Sequence, residues 1–192
     1  IKIENNDSVI FMNFRADRAK QITRAIREKI SLSDYVTLTK HIDDPSILVA
    51  YSPLVLQQTL GEYLSQHGLK QLRLAETEKY AHVTYFLNGL REEPFPNEYR
   101  VIVPSANIPH HDERPEMMAS EIGNRVSQAI IDHTFDFIVA NFANGDIIAH
   151  TGNYDASVKA VEVLDESVGK LYKAVLAAGG SIMITADHGN VE

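Results

Sequence analysis

From about residue 54 onward, short apolar runs alternate with amphipathic stretches, and this rhythm constrains the fold more than any other feature of the sequence. Gln71-Leu72-Arg73-Leu74-Ala75, Arg100-Val101-Ile102-Val103, Phe137 to Phe142 and Ile182 to Thr185 read as strands. Between them lie four helical patterns. The first runs from about Leu54 to Gln66, with Leu56, Leu60 and Leu64 aligned and Gly68 as its stop. The second is Glu78 to Asn88, halted by Gly89. The third is marked by Met118, Ile122, Val126 and Ile130. The fourth is Tyr154 to Ala178, with Val158, Val161, Leu164, Val168, Leu171 and Val175 in register before Gly179-Gly180. Helix–strand alternation with short connections predicts an α/β fold with a mostly parallel sheet covered by helices.

The first 50 residues are richer in strands. Ser8 to Phe14, Tyr35 to Thr39 and Ile47 to Tyr51 read as extended, and Arg15 to Ile30 as an amphipathic helix. This stretch is expected to form a different layer or domain, with Ser52-Pro53 as the connector. The expected boundaries are 1–52 and 53–192.

Net charge is −8, from 18 Lys+Arg and 26 Asp+Glu. An acidic chain lacks the basic surface that non-specific nucleic-acid binding requires, but a few clustered Arg residues can still receive an anionic substrate. The absence of Cys removes disulfides, thiolate metal sites and thiol catalysis. No apolar run reaches the roughly 18 residues of a transmembrane helix, and no signal peptide is visible. A cytoplasmic protein with no membrane or nucleic-acid partner is expected. Ile1 in place of Met, and a chemical motif close to the last residue, point to a piece of a longer chain.

Two apolar runs end in the same chemistry. Phe137–Phe142 passes into Asn144-Gly145-Asp146 and then His150, and Ile182–Thr185 passes into Asp187-His188-Gly189-Asn190. Ligands bind at the carboxyl ends of strands in open α/β sheets. Asp oxygen and His nitrogen together suit Mn²⁺, Zn²⁺ or Fe. On spacing alone, Asp146 and His150 read equally well as a helix-capping Asp and a surface His. Asp187-His188-Gly189 is more specific, because a charged pair at the end of a buried strand must be paired, solvated or metal-bound.

Arg15 and Arg18 stand three residues apart at a strand-to-helix junction. They suit a carboxylate or phosphate, or else form a solvated basic turn with Asp17. Lys79 follows a strand end on the side of the sheet that carries Asp146 and Asp187. It could meet a phosphate there, or pair with Glu76 on an exposed turn. His41, His67, His110, His111 and His133 read as surface residues.

At these motifs the sequence resembles the cofactor-independent (2,3-bisphosphoglycerate-independent) phosphoglycerate mutases. The matching strings are Phe11-Met12-Asn13-Phe14-Arg15-Ala16-Asp17-Arg18-Ala19, then Leu72 through Thr84, Asn88-Gly89 through Phe95, Asn141 through Asp146 with His150-Thr151-Gly152, and Thr185-Ala186-Asp187-His188-Gly189-Asn190. They run across nearly the whole chain.

The resemblance implies interconversion of 3-phosphoglycerate and 2-phosphoglycerate in glycolysis, through a phosphoserine intermediate at a two-metal site. It implies an alkaline-phosphatase-like domain with two divalent ions, usually Mn²⁺, and a second domain inserted into it. Residues 1–52 would be the C-terminal part of the inserted substrate-binding domain, and 53–192 part of the metal-binding domain. Asp146 and His150 would bind one metal, and Asp187 and His188 the other. Arg15 and Arg18 would grip the substrate, and Lys79 would contact it. The full-length protein would be a monomer.

The family's nucleophilic Ser, a further Asp ligand and a third His ligand have no counterpart in this chain. The expectation is that this chain by itself has no mutase activity and weak metal affinity. Gly145 and Ala149 stand where the family more often has Pro and Gly. The alternatives are another alkaline-phosphatase-superfamily enzyme, such as a phosphopentomutase or a phosphatase, and a non-catalytic metal-binding fragment.

Overall fold

A computed structural model describes residues 2–14, 16–54 and 56–191, without the side chains of 16–18. The chain divides into two compact units, Ile1–Val55 and Leu56–Glu192.

The first unit is a three-stranded parallel sheet in the order β1 (Ser8–Phe11), β2 (Asp34–Thr39), β3 (Leu48–Tyr51), with helix α1 (Ala16–Lys29) between β1 and β2. Val9 pairs with Tyr35 and Phe11 with Thr37, and Thr37 pairs on its other side with Val49. Tyr35 and Thr37 are buried, and α1 reaches that face through Thr23. The Thr23 hydroxyl lies 3.2 Å from the Tyr35 hydroxyl and 2.9 Å from His41 Nε2. His41 is therefore not a surface residue. It is 4% exposed, and its ring meets Phe11 edge-on at 5.9 Å. An imidazole whose two nitrogens both have hydrogen-bond partners, here the Thr23 hydroxyl and the Thr39 carbonyl, can enter a core at little cost.

The second unit is built on β4 (Gln71–Glu76), which is buried at all six positions. It lies between β5 (Glu98–Val103) and β6 (Phe137–Asn141), and both neighbours run parallel to it. A central parallel strand is covered on both faces, so its apolar residues need not alternate with exposed ones. Leu72 and Leu74 pack against Ile122 and Val126 of α3 (Ala119–Ile131) and Leu171 of α5 (Tyr154–Ala177). Burying a side chain such as Ile122, fully enclosed here, is worth about 2–3 kcal/mol.

Gln71 and Arg73 take the opposite face, under α2 (Leu60–Gln66). Gln71 Nε2 donates to the Gly61 carbonyl at 2.8 Å, and Arg73 Nη2 donates to Gln71 Oε1. Asn153 caps α5 by accepting from the Ala156 amide. Gly179, at φ +71°, supplies the left-handed residue that ends it. No helix among the described residues is long and apolar enough to cross a membrane.

Three further expectations fail. Residue 54 and residues 56–59 are not helical. The leucine spacing continues upstream of α2, but Gln58 sits at φ +55° and Thr59 is extended at ψ 159°, so the helix starts only at Leu60. Glu78–Asn88 is not one regular helix either. It is a 3-10 turn at Thr77–Lys79 followed by a π-helical turn at His82–Phe86. The third is Ile182–Thr185, which forms no strand: β6 ends the sheet, and Met183 and Ile184 are 90% and 64% exposed. An apolar, β-branched run becomes a strand only when a neighbouring edge pairs with it.

Candidate metal and phosphoryl-transfer site

β4 and β6 run in the same direction, with Ala75 opposite Asn141, so both end on the same edge of the sheet. Each end turns at once into a short helical segment. Beyond β4, the Thr77–Lys79 turn brings Lys79 inward, where its side chain is 11% exposed. Beyond β6, α4 (Asn144–Ala149) carries Asp146 in its first turn, where a carboxylate complements the amide ends of the helix.

Asp146 is the hub. Its Oδ2 accepts a hydrogen bond from Lys79 Nζ. Its Oδ1 accepts from Asn190 Nδ2 at 2.6 Å and lies 3.3 Å from His150 Nε2 and 3.8 Å from His188 Nε2. The His150 contact follows from the four-residue spacing on a helix, which stacks the two side chains. Burial works to raise the Asp146 pKa. The hydrogen bonds from Lys79 and Asn190, with the charges of Lys79 and His150, outweigh it and hold the carboxyl below its ordinary value. Lys79 thus pairs with a carboxylate far along the chain rather than with Glu76 on an exposed turn.

The tail after α5 completes the cluster although it is not a strand. His188 Nδ1 lies 2.9 Å from the Gly189 carbonyl, a contact in which Nδ1 donates and Nε2 faces Asp146. That hydrogen bond, and then the Asp187 charge 3.6 Å from Nε2, raise the His188 pKa. Asp187 itself is 68% exposed.

The donor chemistry fits a divalent ion: two carboxylates and two imidazoles, with one imidazole already oriented through its second nitrogen. The geometry supplies these donors in pairs. Among the described residues, no group of three or more His, Asp or Glu closes on a single metal position.

Lys79, Asp146, His150, Asp187 and His188 are thus in one patch. Arg15 and the Arg18 side chain lie outside the described residues. The sequence reading passed over Asn190 as a partner of Asp146. Its only signal was its place at the end of the Asp187-His188-Gly189-Asn190 string.

Residues 48–192 match the family model of the Metalloenzyme superfamily, and residues 1–52 match the model described as BPG-independent PGAM N-terminus. The chain belongs to the Metalloenzyme superfamily. Within it, the sequence is 48% identical to the 2,3-bisphosphoglycerate-independent phosphoglycerate mutase of Laribacter hongkongensis, over 99% of this chain and 39% of that relative. It is 49% identical to the enzyme of the same name from Acinetobacter baylyi, over 100% of this chain and 39% of the relative. A crystal structure of Leishmania mexicana phosphoglycerate mutase at low cobalt concentration superposes with a TM-score of 0.82 at 32% identity, covering 98% of this chain and 37% of that one. The resemblance read from the motifs is borne out. The chain spans about two fifths of the length of the curated relatives it matches.

Proposed function

We propose that this chain supplies the Asp146-centred part of a two-metal centre that interconverts 3-phosphoglycerate and 2-phosphoglycerate in glycolysis. The observation that carries the proposal is the convergence of Lys79, His150, His188 and Asn190 on one carboxylate at the carboxyl edge of a parallel sheet. The names of the relatives supply the substrate.

In this reading Asp146 with His150, and Asp187 with His188, hold two divalent ions, Mn²⁺ by family resemblance. Such ions neutralise charge on a transferring phosphoryl group. Lys79 holds one cationic group fixed beside them, where its ammonium can meet a phosphate oxygen. Arg15 and Arg18 keep the role of gripping the glycerate. Residues 1–52 belong to a substrate-binding domain and 53–192 to a metal-binding domain, in a cytoplasmic monomer. The seryl nucleophile of the reaction has no assigned residue in this chain, so the chain alone binds metal weakly and does not turn over.

Calorimetric titration with Mn²⁺, then with 3-phosphoglycerate, tests the reading. Metal binding that weakens in Asp146→Asn, and substrate heat that appears only after metal, are expected. Substrate binding indifferent to metal and to Asp146 refutes it. Turnover by the isolated chain in a coupled assay with Mn²⁺ would overturn the claim that the nucleophile lies elsewhere.

A further inference from the structure

Glu76 is the last residue of β4. It is fully buried, and it is not among the described partners of Asp146, which are Lys79, His150, His188 and Asn190. Its Oε2 accepts from the Ser105 hydroxyl at 2.9 Å, and the Ser105 amide in turn donates to Thr77 Oγ1 at 3.1 Å. The carboxyl is thereby fastened to the first residue of the turn that carries Lys79. The Met118 amide approaches the same carboxyl from the stretch before α3. Oε1 has no hydrogen-bond partner among the described residues.

Asn144 is the counterpart on the other side. It opens α4, is fully buried, and its Nδ2 donates to the Pro115 carbonyl at 2.8 Å and the Glu116 carbonyl at 2.9 Å. Between the two anchors, Met117 is held at φ +44°, a conformation that persists only where its surroundings impose it.

We propose that Glu76 and Asn144 are positioning residues: Glu76, through Ser105, fastens the turn that carries Lys79, Asn144 ties the start of α4 to the Pro115 and Glu116 carbonyls, and the two together set Lys79 against Asp146. Lys79 is three residues beyond Glu76, and Asp146 two beyond Asn144. The Lys79–Asp146 contact joins the two anchored segments. A buried carboxyl with one side-chain donor is costly, and a connected polar network that fixes geometry accounts for its presence at this strand end. Burial pushes the Glu76 carboxyl up toward its neutral form, and the Ser105 hydrogen bond and the Met118 amide oppose that. Glu78 and His111 are the titratable neighbours, the first reinforcing the shift and the second opposing it. The functional meaning of this arrangement rests on the proposed role of Lys79 and Asp146, but its geometry does not.

The test reads the Lys79 ammonium directly, by nitrogen-edited NMR of the full chain labelled with ¹⁵N-lysine. A buried, paired ammonium exchanges its protons slowly enough to give a signal, and Lys79→Arg identifies it. Glu76→Ala should speed that exchange by about tenfold, as expected for loss of one charge-linked hydrogen bond. Glu76→Gln, which keeps the shape and the acceptor for Ser105, should restore it to within about twofold. Ser105→Ala, at a partly exposed site, should fall between them and decides the matter if Glu76→Ala does not fold. An unchanged Lys79 signal in folded Glu76→Ala, or in Ser105→Ala, overturns the proposal. Neither metal nor substrate enters this readout, so its failure is separable from failure of the titrations above.

Discussion

Replacing Lys79 by Met keeps most of the apolar stem and removes only the charge, which makes it the sharpest probe of the Asp146 cluster. Breaking a fully buried ion pair from one side costs about 3–5 kcal/mol, and a hydrogen bond to a charged group contributes about 1.5–3 kcal/mol. The Lys79 and Asp146 side chains are 11% and 19% exposed, and Asp146 keeps Asn190 at 2.6 Å and His150 at 3.3 Å. The stranded carboxylate is therefore partly compensated, and the loss should sit near the lower figure, about 2 kcal/mol. For a unit of this size that lowers the melting temperature by about 6–8 °C. Urea denaturation followed by circular dichroism measures it. A double-mutant cycle with Asp146→Asn should give a coupling of about 1–2 kcal/mol. The Lys159–Glu162 pair, with side chains 58% and 62% exposed, is the control and should give no more than about 0.5 kcal/mol. Equal coupling in the two cycles would refute the reasoning, because Lys79–Asp146 would then behave as a surface pair.

Gly61→Ala should destabilise the second unit by about 1–3 kcal/mol, since the new Cβ would stand 2.6 Å from Asn88 Oδ1 and 3.1 Å from the Phe95 ring; a neutral result in chemical denaturation contradicts the packing described under α2. Ile122→Ala should cost about 3–4 kcal/mol, seen as a lowered urea midpoint, and a loss below about 1 kcal/mol would mean that the Leu72–Leu74–Ile122 core can collapse around the gap. Glu76 has a carboxyl pKa raised above 4.5 by burial. Its contribution to stability is present below that value and is lost as pH rises through the raised folded-state pKa. Glu76→Gln should therefore gain on the parent chain as pH goes from 4.5 toward 8, and denaturant midpoints that move in parallel over that range would show no such linkage.

Much of the second unit was legible because its signals are local. β4, β5 and β6 are short apolar runs, α3 and α5 keep their apolar stripes, and Gly179 marks a helix end. What failed was decided at a distance. Ile182–Thr185 has a strand's composition, but pairing depends on an edge that sequence does not reveal. Leu56 fits the helical phase of Leu60 and Leu64, yet the backbone at Gln58 and Thr59 overrides it. His41 looked like a surface residue until Thr23 and Phe11 closed over it. The site shows the same division. Asp146 and His150 stood out through a four-residue spacing at a strand end, although spacing alone left a capping Asp and a surface His equally open, whereas the Lys79 contact spans 67 residues and competes in sequence with an ordinary Glu–Lys turn pair. Glu76 and Asn144 carry no sequence signal of their own, because a buried polar anchor is defined by what surrounds it.

β6 closes the three-stranded sheet on one side only. Along its free side, a row of backbone amides and carbonyls has no ladder partner within the sheet, and all five of its residues are half-buried rather than charged and exposed. Such an edge is a template that accepts another extended segment. The same chain carries a run of suitable composition in Ile182–Thr185, with Met183 and Ile184 facing solvent. If template and complement pair between molecules, self-association should rise with protein concentration, which light scattering over a dilution series would read.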